Sequence, residues 1–160
     1  MAYSSLNQVL EPDSFNYLLD LEVHKAVRYL YFFSLLVVQF DGHGDEQERR
    51  KHEAVAPTLS RLIREAIRGT DVVGRAGGTK FVVMLHQSDY QQARTIGERI
   101  LQRIKNYSFM EQDQEIGKTI SVGGACFPTH ANDMQGLVSR AEEMLDKALG
   151  EGQSTVNLPD

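Results

Sequence analysis

The chain has 160 residues, of which 41% are hydrophobic and 24% are charged, and its formal net charge is −5. This length and composition predict a single globular domain over residues 1–160, with a core from about residue 13 to 158. The negative charge argues against a nucleic-acid-binding surface as the main function.

The apolar stretches and the cysteine usage bear on the compartment. Tyr29 to Phe40 is the most apolar stretch, but a membrane-spanning helix needs about 20 apolar residues. We therefore expect a core strand here and no membrane insertion. No charged-then-apolar leader opens the chain, and the single Cys126 cannot form an internal disulfide. These features predict a cytoplasmic location.

Helix and strand signals alternate in the N-terminal part of the chain. Apolar residues recur at three- and four-residue spacing from Asp13 to Leu30, which predicts a helix capped by Asp13 or Ser14. The continuous apolar run from Tyr31 to Phe40 predicts a strand that is covered on both sides. A second helix is predicted over about 55–68, ended by Gly69.

A pair of adjacent glycines marks the middle of the chain. Gly77 and Gly78 lie between two short apolar runs, within about Asp71 to His86. Because the tight hairpin turns need positive φ at their central residues, this pattern predicts a two-residue β-hairpin.

The C-terminal half repeats the alternation. Its predicted elements are a helix from Ser88 or Asp89 through Ile104, a polar connection with room for an edge strand at Tyr107 to Met110, a strand from Thr119 to Phe127, a helix capped by Asp133 through Ala148, and a short strand at Thr155 to Leu158. This order predicts an α/β (α+β) fold, with a mostly antiparallel sheet flanked by helices.

The order Arg68-x-x-Asp71, followed by Arg75-x-Gly-Gly-x-x-Phe81, resembles the GGDEF family, the diguanylate cyclases of bacterial cyclic di-GMP signalling. Ser-Val-Gly-Gly-Ala at 121–125 and the helix around Arg140 to Ala148 extend the resemblance to roughly 15–156. It implies a ferredoxin-like, nucleotidyl-cyclase palm with a five-stranded central sheet and the family's β-hairpin.

The resemblance also implies where catalytic carboxylates should lie. The family holds magnesium with an Asp at the end of the first strand and with an acidic residue after Gly-Gly. The matching positions here are Gln39 and Thr79, and the next acidic position is Lys80. Since magnesium takes hard oxygen ligands, usually carboxylates, we expect an inactive domain with no metal and no cofactor.

Two other parts of the family's substrate site are also unrecognisable. The positions of its triphosphate-holding Lys and Arg are Leu149 and Gln153, and the guanine-recognition loop is not found in 42–53. These departures also support the expectation that the domain is catalytically inactive.

The family's product-binding site, the I-site, is retained in the sequence. Arg68 and Asp71 stand at the family's spacing ahead of Gly77, and Arg99 matches a further I-site arginine; Arg75 is a weaker candidate. A guanidinium can bridge a phosphate oxygen or the O6/N7 edge of guanine. The resemblance therefore implies cyclic di-GMP as the ligand, although Arg-x-x-Asp alone is typical of a surface ion pair.

Three functions remain open at this stage. The first is a non-catalytic cyclic di-GMP receptor that relays the messenger to an unknown protein partner or crosslinks a homodimer. The second is an interaction or dimerisation domain without a ligand. The third is residual GTP binding or diguanylate cyclase activity.

Overall fold

The computed structural model describes residues 9–41, 50, 54–107, 110–111, 114–115, 119–151 and 154–160. The helices are α1 (Pro12–Tyr29), α2 (Ala56–Ala66), α3 (Tyr90–Asn106) and α4 (Met134–Gly150). The strands are β1 (Phe33–Asp41), β2 (Val72–Arg75), β3 (Lys80–Leu85), β4 (Met110–Glu111), β5 (Gln114–Glu115), β6 (Thr119–Phe127) and β7 (Thr155–Asn157). Within these residues, no helix has the length and apolar character needed to cross a membrane.

The central sheet has five strands in the order β2-β3-β1-β6-β7. Neighbouring strands are antiparallel except β6 and β7, which are parallel. The predicted α+β fold with a mostly antiparallel five-stranded sheet is confirmed. Met110, the last residue of the predicted edge strand at 107–110, pairs with Glu115 in a separate two-stranded ribbon, and residues 108–109 lie outside the described residues.

Helices cover both faces of this sheet. The buried residues of α2 and α3 pack on one face around Leu36, Val38 and Phe40, whereas those of α1 and α4 pack on the other around Leu35 and Val37. These five side chains of β1 are at most 1% exposed. The strand is therefore covered on both sides, as its continuous apolar run predicts.

The helix starts show which capping signals operate. The Asp89 side chain accepts a hydrogen bond from the N–H of Gln92, and the Asp133 side chain accepts one from Gly136. The prediction that Asp13 or Ser14 caps α1 is wrong, since Glu11 is the N-cap residue and makes no side-chain cap bond. Pro12 favours this earlier start because its fixed φ suits the first helical turn.

The end of α2 also differs from the prediction. The helix ends at Ala66 and not near residue 68, and Ile67 is already extended at φ −115° and ψ 172°. The Arg68 N–H donates to the Asp71 carboxylate at 2.9 Å instead of to a carbonyl in the helix. This side-chain bond ends the helix before Gly69 is reached.

The hairpin turn has the predicted backbone but a longer span. Gly77 and Gly78 have φ of 104° and 54°. The connection nevertheless covers residues 76–79, with the N–H of Ala76 donating to the Lys80 carbonyl. Arg75 pairs with Phe81 in the register of β2 and β3, so five residues lie between these paired positions and a two-residue turn cannot form.

Candidate functional site

The chain between α2 and β2 forms a corner around the buried carboxylate of Asp71, whose side chain is 0% exposed. Oδ2 accepts from the backbone N and Nε of Arg68 at 2.9 and 3.2 Å. Oδ1 accepts from Arg68 Nη2 at 3.3 Å and from the N–H of His86 at 2.9 Å. With four donors on two oxygens, this buried charge is compensated, and it fixes the direction of Arg68.

Arg68 is fixed along one edge of its guanidinium only. Nη2 also donates to Ser88 Oγ at 2.7 Å and to the His86 carbonyl at 2.5 Å. The Arg68 side chain is 49% exposed, and Nη1 has no hydrogen bond within the described part of the chain. A positioned arginine thus faces solvent with donors to spare, which suits recognition of an anion.

The structure brings Arg68 and Arg99 together around one cavity of about 340 Å³. Arg99 lies on α3 and its Nη1 donates to the Ala66 carbonyl at 3.2 Å. The remaining lining residues combine amide, hydroxyl and aliphatic groups: Ala66, Ser88, Gln91, Gln92, Thr95 and Ile96. Two cations beside a polar wall can bind a ligand that carries both anionic and hydrogen-bonding groups.

Arg75 does not line this cavity. Its Nη2 donates to the Gly78 carbonyl at 2.7 Å, so the side chain lies along the hairpin turn. It lines a second cavity of about 310 Å³ with Val9, Glu11, Ala56, Pro57, Ser60 and Phe81. The structure therefore separates the weaker predicted candidate from Arg68 and Arg99.

The positions aligned with catalytic carboxylates are engaged by protein groups. Gln39 and Lys80 are cross-strand neighbours. The Thr79 hydroxyl donates to the Phe40 carbonyl, and Lys80 Nζ donates to Glu142 Oε1 at 2.8 Å. Residues 42–49, Gln153 and the Asp41 side chain lie outside the described residues. Over the described residues, no group of three His, Cys, Asp or Glu side chains could hold a metal ion, and the expected absence of metal stays a prediction.

A polar cluster, formed by the buried Glu22 and the partly exposed Tyr31 and His86, joins the corner to α1. The carboxylate of Glu22 is 2.7 Å from His86 Nδ1. Burial raises the pKa of Tyr31 to about 12, and the charge of Glu22 and its hydrogen bond to Tyr31 add to the shift. Since the backbone of His86 contacts both Arg68 and Asp71, this cluster links α1 to the positioned arginine.

Sequence reasoning missed several of these residues. His86 and His130 show no evident partners in the sequence, yet His86 contacts Glu22, and His130 Nδ1 accepts from the N–H of Cys126 at 2.9 Å. The available signal was Glu22 itself, a carboxylate on the apolar face of α1 between Leu19 and Ala26. The sequence marks Ser88 only as a candidate helix cap, whereas in the structure its hydroxyl accepts a hydrogen bond from Arg68.

A family model described as "Diguanylate cyclase, GGDEF domain" matches residues 9–155. Diguanylate cyclase A of Treponema denticola is 27% identical over 128 residues, which cover 78% of this chain and 34% of that protein. The uncharacterized protein YhcK of Bacillus subtilis is 28% identical over 128 residues, covering 78% of this chain and 36% of that protein. The chain thus spans about a third of the length of these relatives.

Solved structures show the same fold. The GGDEF domain of YfiN (TpbB) from Pseudomonas aeruginosa superposes with a TM-score of 0.87 at 19% identity, covering 96% of this chain and 98% of that one. The coiled coil and GGDEF domain of DgcB from Caulobacter crescentus, in complex with c-di-GMP, superposes with a TM-score of 0.83 at 18% identity, covering 97% and 84%. At these identities the likeness concerns the fold alone.

Proposed function

The chain belongs to the GGDEF domain family, and on that premise we propose that it is a cyclic di-GMP receptor that binds the messenger at Arg68 and Arg99 without synthesising it. The observation that carries the proposal is the shared cavity. Both arginines line it, and Arg68 is held there by a fully buried carboxylate. A positioned guanidinium loses less conformational entropy on binding than a free side chain.

Cyclic di-GMP offers groups that match this cavity. Each of its two phosphodiesters carries a negative charge for a guanidinium, and each guanine presents an O6/N7 edge that arginine can bind with two hydrogen bonds. Gln91 and Thr95 add uncharged polar groups to the wall. Asp71 acts as a positioning residue, because its oxygens are already occupied by Arg68 and His86.

The proposed lack of synthesis follows from the chemistry at three positions. Joining two GTP molecules needs metal ions that bind triphosphates and activate a hydroxyl. Gln39 offers an amide, Thr79 has committed its hydroxyl to a backbone carbonyl, and Lys80 places an ammonium where a carboxylate would be needed. An ammonium repels a divalent cation and is not one of its ligands.

Two alternatives to the receptor proposal would use other parts of the chain. Exposed apolar side chains on α1 favour an interaction domain. Residual GTP binding would be sought at Gln39, Thr79 and Lys80, none of which lines the cavity beside Arg75 and Ser60. An interaction domain of this kind would leave the cavity between Arg68 and Arg99 without a ligand.

Isothermal titration calorimetry of the purified chain tests the proposal. We expect saturable binding of cyclic di-GMP, and Arg68→Ala or Arg99→Ala should each weaken it about 10- to 100-fold, since a hydrogen bond to a charged group contributes about 1.5–3 kcal/mol. Arg75→Ala is the matched control and should leave the affinity unchanged. GTP with magnesium should give no binding heat.

Two results would contradict the proposal. One is no detectable heat with cyclic di-GMP at about 300 µM. That result would mean that any dissociation constant lies above roughly this concentration. The other is unchanged affinity in the Arg68→Ala, Arg99→Ala double variant. Binding of GTP with magnesium would instead support the residual-activity alternative.

A further inference from the structure

The buried face of α1 contains one carboxylate. The other buried residues of this helix are apolar: Phe15, Leu19, Val23 and Ala26. The Glu22 side chain among them is only 6% exposed. Burying a carboxylate is costly unless it is paired, and replacing a buried pair by apolar side chains of similar volume is often neutral or stabilising. A leucine would cover the sheet as Glu22 does, so stability alone does not explain an acidic residue here.

The carboxylate of Glu22 is bound by three other side chains. Its Oε2 lies 2.7 Å from His86 Nδ1, and the Tyr31 hydroxyl donates a hydrogen bond to it. The rings of Tyr31 and His86 are 5.5 Å apart in an edge-to-face contact. Lys25, on the same helix, has its Nζ 3.9 Å from Oε1. Since His86 directly follows β3, the carboxylate ties α1 to the end of that strand.

The backbone at the end of β3 belongs to the corner that holds Arg68. The N–H of His86 donates to Asp71 Oδ1 at 2.9 Å, and the His86 carbonyl accepts from Arg68 Nη2 at 2.5 Å. Ser88 Oγ accepts from the same nitrogen at 2.7 Å. The direction of the Arg68 guanidinium therefore depends on where the turn from 86 to 88 lies.

This turn is strained at its middle residue. Gln87 has a φ of 50°, a left-handed conformation that residues other than glycine rarely adopt. Strained conformations persist where the surrounding structure holds them, and the contact between Glu22 and His86 does so at one end of the turn. Loss of that contact would let the turn relax and would displace the two acceptors that direct Arg68.

We propose that Glu22, acting through His86, positions Arg68 and thereby sets the affinity of the cavity for cyclic di-GMP. This inference rests on the proposed receptor function and adds to it a regulating contact with α1. Glu22 does not line the cavity, so it is a positioning residue and not a ligand contact. A displacement of α1 that separates Glu22 from His86 weakens ligand binding, and by linkage the bound ligand favours the state in which α1 is docked.

Calorimetry of two Glu22 variants tests the positioning role. Glu22→Leu should weaken cyclic di-GMP binding about 3- to 10-fold, the effect of one lost hydrogen bond. Glu22→Gln should retain more of the affinity, because its amide oxygen can still accept from His86 Nδ1. Asp20→Leu is the matched control, since Asp20 lies 3.6 Å from His24 Nδ1 in a second carboxylate–histidine pair of α1 that is exposed to solvent. This control should leave the affinity unchanged.

Urea unfolding of the same variants separates positioning from stability. We expect Glu22→Leu to be at least as stable as the wild type, because it replaces a buried charge by an apolar side chain. Its loss of affinity then cannot be attributed to partial unfolding. If affinity and stability fall together, and to the same extent in Glu22→Leu and Glu22→Gln, the residue has only a structural role and the inference is wrong.

A double-mutant cycle tests whether the effect passes through Arg68. In the Arg68→Ala background, Glu22→Leu should cause no further loss of affinity, because the group that it positions is absent. An equal fold-loss in both backgrounds would overturn the inference, since Glu22 would then act independently of this arginine.

NMR of the ligand-free chain gives a readout that does not depend on cyclic di-GMP. The Arg68 Nε–H donates to Asp71 at 3.2 Å, and its resonance is identified by its loss in Arg68→Ala. In Glu22→Leu we expect this resonance to shift and its proton to exchange faster with water, and in Glu22→Gln we expect smaller changes.

An unchanged Arg68 resonance together with wild-type affinity in Glu22→Leu would overturn the inference and leave the receptor proposal intact. Absence of binding heat in the wild type would instead refute the receptor proposal, and the Arg68 resonance would still decide whether Glu22 positions the arginine.

Discussion

Asp71 accepts hydrogen bonds from both the backbone and the side chain of Arg68. The backbone bond ends α2, and the side-chain bonds direct the guanidinium towards the cavity shared with Arg99. One carboxylate thus connects the local conformation of the chain with the geometry of the site. Its contribution to ligand binding would be indirect, through the position of Arg68.

His130 gives a pH-dependent prediction at the same scale. Its Nδ1 accepts the N–H of Cys126, and burial followed by the positive charge of Arg140 lowers the pKa of His130. Because an unfolded histidine titrates at about 6.5, the unfolded state takes up the proton first as the pH falls. The free energy of unfolding should therefore decrease from pH 6.5 downward.

Urea unfolding of the wild type and of His130→Asn between pH 8 and 5 measures this effect. Asparagine does not titrate, and its amide oxygen can accept the same N–H. The stability difference between the two proteins should shift in favour of the variant at low pH. A difference that stays constant across the range would refute the assignment of this titration to His130.

At the scale of elements, α4 packs against β6 at a glycine. A Cβ atom on Gly123 would lie 2.1 Å from the backbone nitrogen of Leu145 and 2.7 Å from the carbonyl oxygen of Ala141. The helix would have to move away from the sheet to accommodate it. We expect Gly123→Ala to destabilise the fold by about 1–3 kcal/mol, the usual cost of overpacking.

Gly150→Ala is the control, because a Cβ there meets nothing within 4 Å. Its effect should be small or stabilising, since alanine restricts the unfolded chain. Chemical denaturation of both variants makes the comparison. Equal stability of Gly123→Ala and the wild type would mean that α4 and β6 are not packed this closely.

Elements and caps were largely predictable from the sequence, because periodicity, Asp89 and Asp133 are local signals. The ends of α2 and of the hairpin turn were not. The end of α2 depends on the hydrogen bond from the Arg68 N–H to the Asp71 side chain, and the span of the turn depends on the strand register, in which Arg75 faces Phe81. Such boundaries follow from tertiary contacts that a sequence pattern does not encode.

At the scale of the whole molecule, the site combines residues that are distant in sequence. Its arginines could be predicted to converge because the family resemblance supplied their roles. Ser88 and Gln91 could not be, since no pattern marks them as lining a cavity. Glu22 and His86 are 64 positions apart, and only folding shows that they join α1 to the corner that holds Arg68.

A crystal structure of the chain, grown with cyclic di-GMP in one experiment and with GTP and magnesium in another, would test the receptor assignment most directly. We predict density for the dinucleotide against Arg68 and Arg99, with no metal at Gln39 and Thr79. Nucleotide density between Gln39 and Thr79, together with an empty cavity at Arg68, would contradict the assignment.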